Sequence, residues 1–338
     1  MISKENISLK DYNTFGIDVK ASRFAEICAL DDVVELHNSG AFKSSFLLLG
    51  GGSNILFSGD FHGLVIKNNI KGIRTQELEN AEVIVTAGAG VEWNELVWHC
   101  IDHNYGGIEN LSLIPGSVGA APIQNIGAYG VELKDCFEML EAFDIGSGKV
   151  IKFFKEECEF GYRDSIFKKE RKGKYVILSV SLKLKIGKKP DTSYGAIVGE
   201  LSRMGVDNDP GIRDVGLAVS SIRDKKLPDP DEKGNAGSFF KNPLVTRAHF
   251  LRLINEYPDI PHYPDNNEME KLPAGWLIEQ CGWKGKRRGD AGVHDKQALV
   301  LVNHANASAT EVLSLAADIQ RSVLDRFGVD LEMEVNVV

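Results

Sequence analysis

The chain has 338 residues, 43% hydrophobic and 26% charged, a globular composition with enough length for two or three domains and a sizeable core. A formal net charge of -9 repels phosphate backbones, which argues against a nucleic-acid partner and requires any anionic ligand to be met by locally placed Lys, Arg or backbone N–H groups. The charged start (Met1 to Asn6) is no secretory leader, and no apolar run approaches the roughly 18 residues of a membrane span, so a soluble cytoplasmic protein without a membrane partner is expected.

In chain order, Asp31 or Asp32 is placed to cap a helix over 33–38. The apolar run 46–49 reads as a buried strand stopped by Gly50, Gly51 and Gly52, and 83–85 as another stopped by 86–90. Residues 91–103 carry Val91, Leu96, Val97, Cys100 and Ile101 on one helical face. Strand character follows at 139–145, 150–154 and 175–186, the last alternating through Val176, Leu178, Val180, Leu182, Leu184 and Ile186. The polar stretch 205–216 and Leu227-Pro228-Asp229-Pro230 predict a domain change within 205–235. Ser308 and Glu311 form a capping box ahead of Val312, Leu315, Ala316, Ile319, Val323 and Phe327, with Gly328 suited to end that helix. A period-2 strand is then expected over 329–337, with Val329, Leu331, Met333, Val335 and Val337 on one face and Glu332 and Glu334 sharing the other.

Five cysteines, odd in number and never in a C-x-x-C pair, fit neither a disulfide framework nor a zinc site; reduced, mostly buried thiols and no metal are expected. Glycine is the outlier, with 34 residues, many clustered in 50–52, 86–90, 105–107 and 116–130. Such clusters among apolar residues suggest backbone approaching a ligand. The segment 88–93 lacks the third glycine of a dinucleotide fold, and 50–54 lacks the Gly-Lys-Ser/Thr sequel of a P-loop. A strand running into Gly50, Gly51, Gly52, Ser53 and Asn54 can still aim N–H groups at a pyrophosphate, although a tight surface turn reads the same way. The uncharged stretch 111–130 suits a flat, partly apolar cofactor: Gly116, Ser117 and Gly119 permit close approach, and Gln124 and Asn125 can pair with a heteroaromatic edge. A glycine-rich loop buried for its own packing is the alternative.

Tyr162 and Arg163 set a phenol beside a guanidinium, a natural carboxylate clamp, against the plainer reading of an Arg163–Asp164 surface pair. Ser238 follows small residues and precedes Phe239 and Phe240; with no histidine relay spelled out around it, proton donation is favoured over covalent attack. His99 and His103 read as packing rather than metal ligands, and the basic run Lys284 to Arg288 as a solvated loop.

In their order and spacing, the segments 13–16, 49–56, 114–119, 123–130, 161–165, 234–243 and 331–335 resemble, nearly end to end, the UDP-N-acetylenolpyruvoylglucosamine reductase (MurB) family. The resemblance implies an α+β fold: an FAD-binding domain of the vanillyl-alcohol-oxidase (PCMH) type, with subdomains over 1–70 and 71–205, then a smaller α+β substrate-binding domain over 220–328, with 329–338 returning to the active site. It implies FAD held by Gly50, Gly51, Gly52, Ser53, Asn54, Pro115, Gly116, Ser117, Gly119, Gln124, Asn125 and Gly127. Carried over by motif, Arg163 and Glu334 are catalytic, Tyr162 stands beside them, and Ser238 is the proton donor; the alternation leaves Glu332 and Glu334 equivalent, and the family's Glu-Val ending selects Glu334. Tyr194 resembles the substrate-capping tyrosine of one class, and Lys226, Asn242, Tyr263, Lys271 and Gln297 resemble substrate contacts. The implied reaction uses NADPH to reduce UDP-N-acetylglucosamine enolpyruvate to UDP-N-acetylmuramate for peptidoglycan, hydride going to C3 and a proton to C2, in a protein expected to be monomeric.

Overall fold

The structure, a computed structural model, describes residues 4–265 and 268–338, so Met1, Ile2 and Ser3 of the charged start lie outside it. The chain forms two compact units: one of the residues before Ser8 with Lys20–Gly52 and Phe61–Lys225, the other of Ser8–Val19, Ser53–Asp60 and Lys226–Val338.

The first unit holds two sheets. Lys20–Ile27, Phe61–Asn68 and Phe46–Leu49 are parallel neighbours in that order, with Lys4–Ser8 on the outer edge. Parallel neighbours need a crossover, and helix α1 (Leu30–Asn38) supplies it between the first and third of these strands. Asp32 does not stand at the cap of α1: it is the third helical residue, and its carboxylate reaches back to accept from the N–H groups of Cys28 (2.7 Å) and Ala29 (3.0 Å).

The second sheet is antiparallel, in the order Lys149–Phe154, Phe137–Asp144, Tyr175–Ile186, Glu82–Gly88, Ile73–Glu77. Helix α2 (Trp93–Asp102) packs Leu96, Val97, Cys100 and Ile101 into its core. The central strand has the expected limits, but its two-residue alternation is broken. A register slip opposite Glu141 and Ala142 adds one residue, so Val176 and Leu178 enter the core beneath α1, whereas Ile177, Val180, Leu182 and Leu184 enter the core around α2. Helices α3 (Gly195–Arg203) and α4 (Ile212–Lys226) pack Ile197, Leu201, Val215, Ala218, Val219 and Ile222 together, with Tyr129 against them.

The second unit is built on an antiparallel sheet in the order Gly234–Ser238, Val300–Asn303, Ala291–Val293, Arg287–Arg288, with a smaller sheet in the order Leu244–Thr246, Met269–Lys271, Tyr263–Asp265. Helices α5 (Arg247–Glu256), α6 (Ala274–Gln280) and α7 (Ala309–Phe327) complete it. In α7 the Ser308 hydroxyl accepts from Glu311 N–H, all six expected apolar positions are buried, and Gly328 closes the helix at φ 63°.

The segment after α7 is not the continuous strand its alternation predicts. Only Asn336–Val337 pairs, in parallel with Ile55–Leu56, and Met333 makes one isolated bridge to Phe240. The segment changes partner midway, so inward and outward positions stop alternating: Glu334 and Val335 are both buried and Val337 is exposed. Among the described residues no helix is long and apolar enough to cross a membrane.

Candidate functional site

In the first unit, two glycine loops press against each other. A Cβ on Gly51 would lie 2.7 Å from Gly116 Cα, and one on Gly50 would lie 2.4 Å from Ser117 Oγ. The second loop is braced from behind by Trp93 N–H to Gly116 O, Val118 N–H to Val91 O and Gly119 N–H to Ala89 O, each 2.8 Å, and Gly119 leaves no room for a Cβ beside Ala89. Lys67 donates to Gly50 O (2.5 Å), and burial pushes its ammonium below the usual lysine range. Gly52 and Gly116 take left-handed φ values of 70° and 110°. This is a cradle of bare backbone with one part-buried cation, and it fits the diphosphate and flat rings of FAD. Pro115 is exposed at its rim, and Gly127 leads the next short hairpin.

Arg163 sits at the tip of a tight turn closed by Gly161 and Asp164, with φ 54°. Leu113, Asn125 and Tyr129 share that uncommon left-handed conformation, at 59°, 43° and 48°. Strain concentrated on three neighbouring loops is characteristic of functional sites. Asn125 locks two of them together. Its side-chain NH2 donates to Gly161 O and Glu132 (3.0 Å each), and its oxygen accepts from Lys134 N–H (3.0 Å). Asp164 pairs with Lys169 rather than with Arg163, whose guanidinium lies 6.0 Å from the Tyr162 ring centre.

Two residues that sequence reasoning passed over join this group. Arg223, on α4, donates from Nε to Leu113 O (3.1 Å), and the Tyr129 hydroxyl is close enough to act on its guanidinium electrostatically. Burial lowers its pKa, and the charge of Arg163 acts in the same direction. The Tyr129 ring meets the Tyr194 ring edge-on at 5.3 Å, and Tyr194, 40% exposed, begins α3. Guanidiniums are the groups suited to meeting a carboxylate or phosphate. No local pattern marks Arg223, because its partners lie about a hundred residues away in sequence.

In the second unit, Gly237 at φ 69° produces a bulge between Asn235 and Ser238, and Asn235 Oδ1 accepts its N–H (2.9 Å). The bulge re-aims Ser238, whose hydroxyl has no protein hydrogen-bond partner among the described residues. Phe239 and Phe240 behind it are fully buried. Glu334 N–H donates to Phe239 O (2.8 Å), and Asn54 Nδ2 donates to Glu334 O (3.4 Å). Glu334 is 8% exposed, whereas the Glu332 side chain is 72% exposed and paired with Lys241. The two glutamates therefore do not share an environment, contrary to the alternation.

Tyr263 and Lys271 are direct cross-strand partners. Asn242 Oδ1 caps α6 by accepting from Ala274 N–H (2.9 Å), and Gln297 Oε1 accepts from Leu299 N–H (3.3 Å) while lying 2.9 Å from where a Cβ on Gly275 would be. Lys226 is exposed at the end of α4. The first unit thus gathers Gly50, Gly51, Gly52, Pro115 to Gly127, Tyr162, Arg163 and Tyr194, and the second gathers Ser53, Asn54, Lys226, Ser238, Asn242, Tyr263, Lys271, Gln297 and Glu334.

The remaining motifs are structural. The basic run is consumed locally: Lys284 pairs with Glu279, Arg287 with Asp290, Arg288 with Asp318, and Lys286 lies over the Trp283 ring. His103 Nδ1 is bonded to His99 O, and no group of three or more potential metal ligands occurs among the described residues. Cys100, Cys136 and Cys158 are buried, Cys281 is half-buried and Cys28 exposed, all as free thiols.

Residues 28–153 match the family model of the FAD binding domain, and residues 229–338 that of the C-terminal domain of UDP-N-acetylenolpyruvoylglucosamine reductase. Curated relatives named UDP-N-acetylenolpyruvoylglucosamine reductase include those of Flavobacterium johnsoniae (46% identical, covering 99% of both chains) and Pseudomonas savastanoi pv. phaseolicola (49% identical, covering 98% of this chain and 97% of the other). The solved structure of the Thermus caldophilus reductase aligns with a TM-score of 0.69 and 25% identity over 99% of both chains. A solvent-stable cholesterol oxidase shares the fold alone, with a TM-score of 0.50 and 12% identity over 99% of this chain and 86% of the other. With an α+β fold, a glycine cradle fitted to FAD and this likeness from end to end, the chain belongs to the UDP-N-acetylenolpyruvoylglucosamine reductase family of FAD-dependent oxidoreductases.

Proposed function

We propose that the chain reduces UDP-N-acetylglucosamine enolpyruvate to UDP-N-acetylmuramate with NADPH, as a cytoplasmic monomer supplying peptidoglycan precursors. The observation that carries this reading is the knot in the second unit, where a hydroxyl with no protein partner among the described residues, on Ser238, adjoins the residue whose carbonyl holds buried Glu334. A reduction that ends in a single protonation needs one proton donor, for which Ser238 is placed, and of the two glutamates Glu332 is exposed and paired with Lys241.

Held by the glycine cradle, FAD would supply the hydride chemistry, drawing on NADPH and serving C3 of the enolpyruvyl group. Addition at C3 sends negative charge through C2 onto the substrate carboxylate, where Arg163, and Glu334 through a proton or hydrogen bond, stabilise it. Ser238 then gives its hydroxyl proton to C2; a neutral hydroxyl suffices because that carbon is strongly basic. Gly50, Gly51, Gly52, Ser53 and Asn54, with Pro115, Gly116, Ser117, Gly119, Gln124 and Gly127, hold the cofactor. Asn125, its amide spent within the protein, contributes by fixing the loop. Tyr194 closes over the nucleotide sugar, and Lys226, Asn242, Tyr263, Lys271 and Gln297 contact it. Residues 1–70 and 71–205 then serve the cofactor, 220–328 the substrate, and 329–338 bring back Glu334.

The absorbance spectrum tests the proposal in one cuvette. The purified protein is expected to be yellow, to bleach with NADPH, and to regain its colour without oxygen when the enolpyruvyl sugar is added. Bleaching without recovery would assign the chain to another substrate, and a colourless protein that takes up no FAD would refute the flavin chemistry.

A further inference from the structure

The small sheet of the second unit presents two different faces. Tyr263, Lys271 and Leu244 lie in register, so their side chains project from one side; Tyr263 and Leu244 are 51% and 41% exposed. The other side carries Glu270 and Val245, both buried. Glu270 is only 1% exposed. Its Oε1 accepts from Arg247 Nη1 (2.7 Å), and its Oε2 bonds His262 Nδ1 (3.0 Å). Arg247 opens α5, and Phe250, one turn on, lies against the His262 ring at 4.3 Å, tilted by 38°.

Burying one carboxylate against a cation whose side chain stays 61% exposed is a poor way to gain stability, because desolvating the carboxylate offsets much of the attraction; the better-attested gain is a fixed geometry. The residues fixed here are telling. Glu270 adjoins Lys271 in sequence, His262 adjoins Tyr263, and one carboxylate ties both to the start of α5.

The geometry points to Glu270, with Arg247 and His262, as a positioning group that holds Tyr263 and Lys271 as a preset pair for the phosphorylated part of the nucleotide sugar. Lys271 offers the charge for a phosphate, and Tyr263 offers a ring and a hydroxyl at the adjacent cross-strand position. The inference rests on the reading that these two side chains meet substrate. Glu270 acts only through them, so it governs substrate affinity and not the chemical step.

Steady-state kinetics on the flavin-loaded full chain tests this. Glu270→Leu, which keeps the site filled but cuts both bonds, is expected to raise KM for the enolpyruvyl nucleotide sugar by about tenfold or more with kcat within about threefold. Glu270→Gln, still able to accept a bond, should recover most of that loss. In a Tyr263→Ala, Lys271→Ala background, adding Glu270→Leu should change KM by less than about twofold, because the group it positions is gone. If Tyr263→Ala and Lys271→Ala raise KM while Glu270→Leu does not, or if the effects multiply in the combined variant, the positioning role is wrong. If Tyr263→Ala and Lys271→Ala leave KM unchanged, the substrate reading itself fails. Should Glu270→Leu not fold, His262→Phe, which keeps a ring against Phe250, carries the same prediction at about threefold or more.

Discussion

Ser238 and Glu334 are held by backbone, not by each other's side chains. Gly237 adopts a conformation closed to most residues, and the resulting bulge turns Ser238 out of the strand's regular alternation. Ser238→Ala removes one hydroxyl and leaves this scaffold intact. It is expected to permit flavin reduction by NADPH at near-normal rate but to slow reoxidation by the enolpyruvyl sugar about 100-fold or more, read by stopped-flow absorbance. An unchanged reoxidation rate would remove Ser238 from the chemistry. The two glutamates form a matched experiment. Glu334→Gln should lower kcat about 100-fold or more, whereas Glu332→Gln, which breaks only an exposed pair with Lys241, should stay within about threefold of the parent. The opposite ranking would reverse the assignment. Sequence periodicity could not choose between them, since it assumes an unbroken strand, and this segment changes partner between Lys241 and Ile55.

At the scale of elements, what was legible in the sequence is what is decided locally. The α7 capping box and its glycine stop, the run of residues 175–186 and the glycine turn after 49 all rest on neighbours a few positions apart, whereas the strand expected to stop at 85 runs on to Gly88, held by pairing on both sides. Arg223 was illegible because Leu113, whose carbonyl it meets, lies 110 positions away in the sequence. The register slip that splits the face of Tyr175–Ile186 was hidden for the same reason, being a property of two strands at once. The two glycine loops allow an element-scale test. Gly51→Ala sets a Cβ 2.7 Å from the backbone of Gly116, and neither loop can yield without parting from the other. It should purify with less than about half its flavin, measured as the ratio of absorbance at 450 to 280 nm, because a few tenths of an ångström is enough to spoil a backbone cradle. Gly199→Ala, in α3 with nothing within 4 Å, is the control: full flavin and a gain of about 0.5–1 kcal/mol, seen as a higher Tm. Flavin retained by Gly51→Ala would mean that the two loops are not the cradle.

For the molecule as a whole, the groups whose pKa values move on folding set the pH range in which it is stable. His99, His294 and His304 are pushed below the ordinary 6.5, chiefly by burial, so the unfolded chain takes up protons first as pH falls. Stability therefore begins to decline below about pH 6.5. Asp144, Asp191, Glu200, Asp290 and Glu311 are held below the usual carboxylate range, chiefly by hydrogen bonds from side chains or backbone N–H groups. Their contribution is complete above the unfolded values of 3.8 to 4.5 and is lost as pH falls through the lower folded ones, giving a second, steeper acid step. On the alkaline side, burial raises three thiols of one core from 9.0: Cys136 and Cys158 to about 12, and Cys100 in the same direction. Above pH 9 the unfolded chain releases these protons and the folded one keeps them, so each thiol removes up to about 1.4 kcal/mol per pH unit. The expected plot of Tm against pH is a plateau from about 6.5 to 9 with a steep alkaline fall. Replacing Cys100, Cys136 and Cys158 by Ala should lower the plateau, through the space left in the core, yet flatten the alkaline limb. An equally steep limb in that variant would mean that other groups, such as the half-buried Tyr129 hydroxyl, set the alkaline boundary.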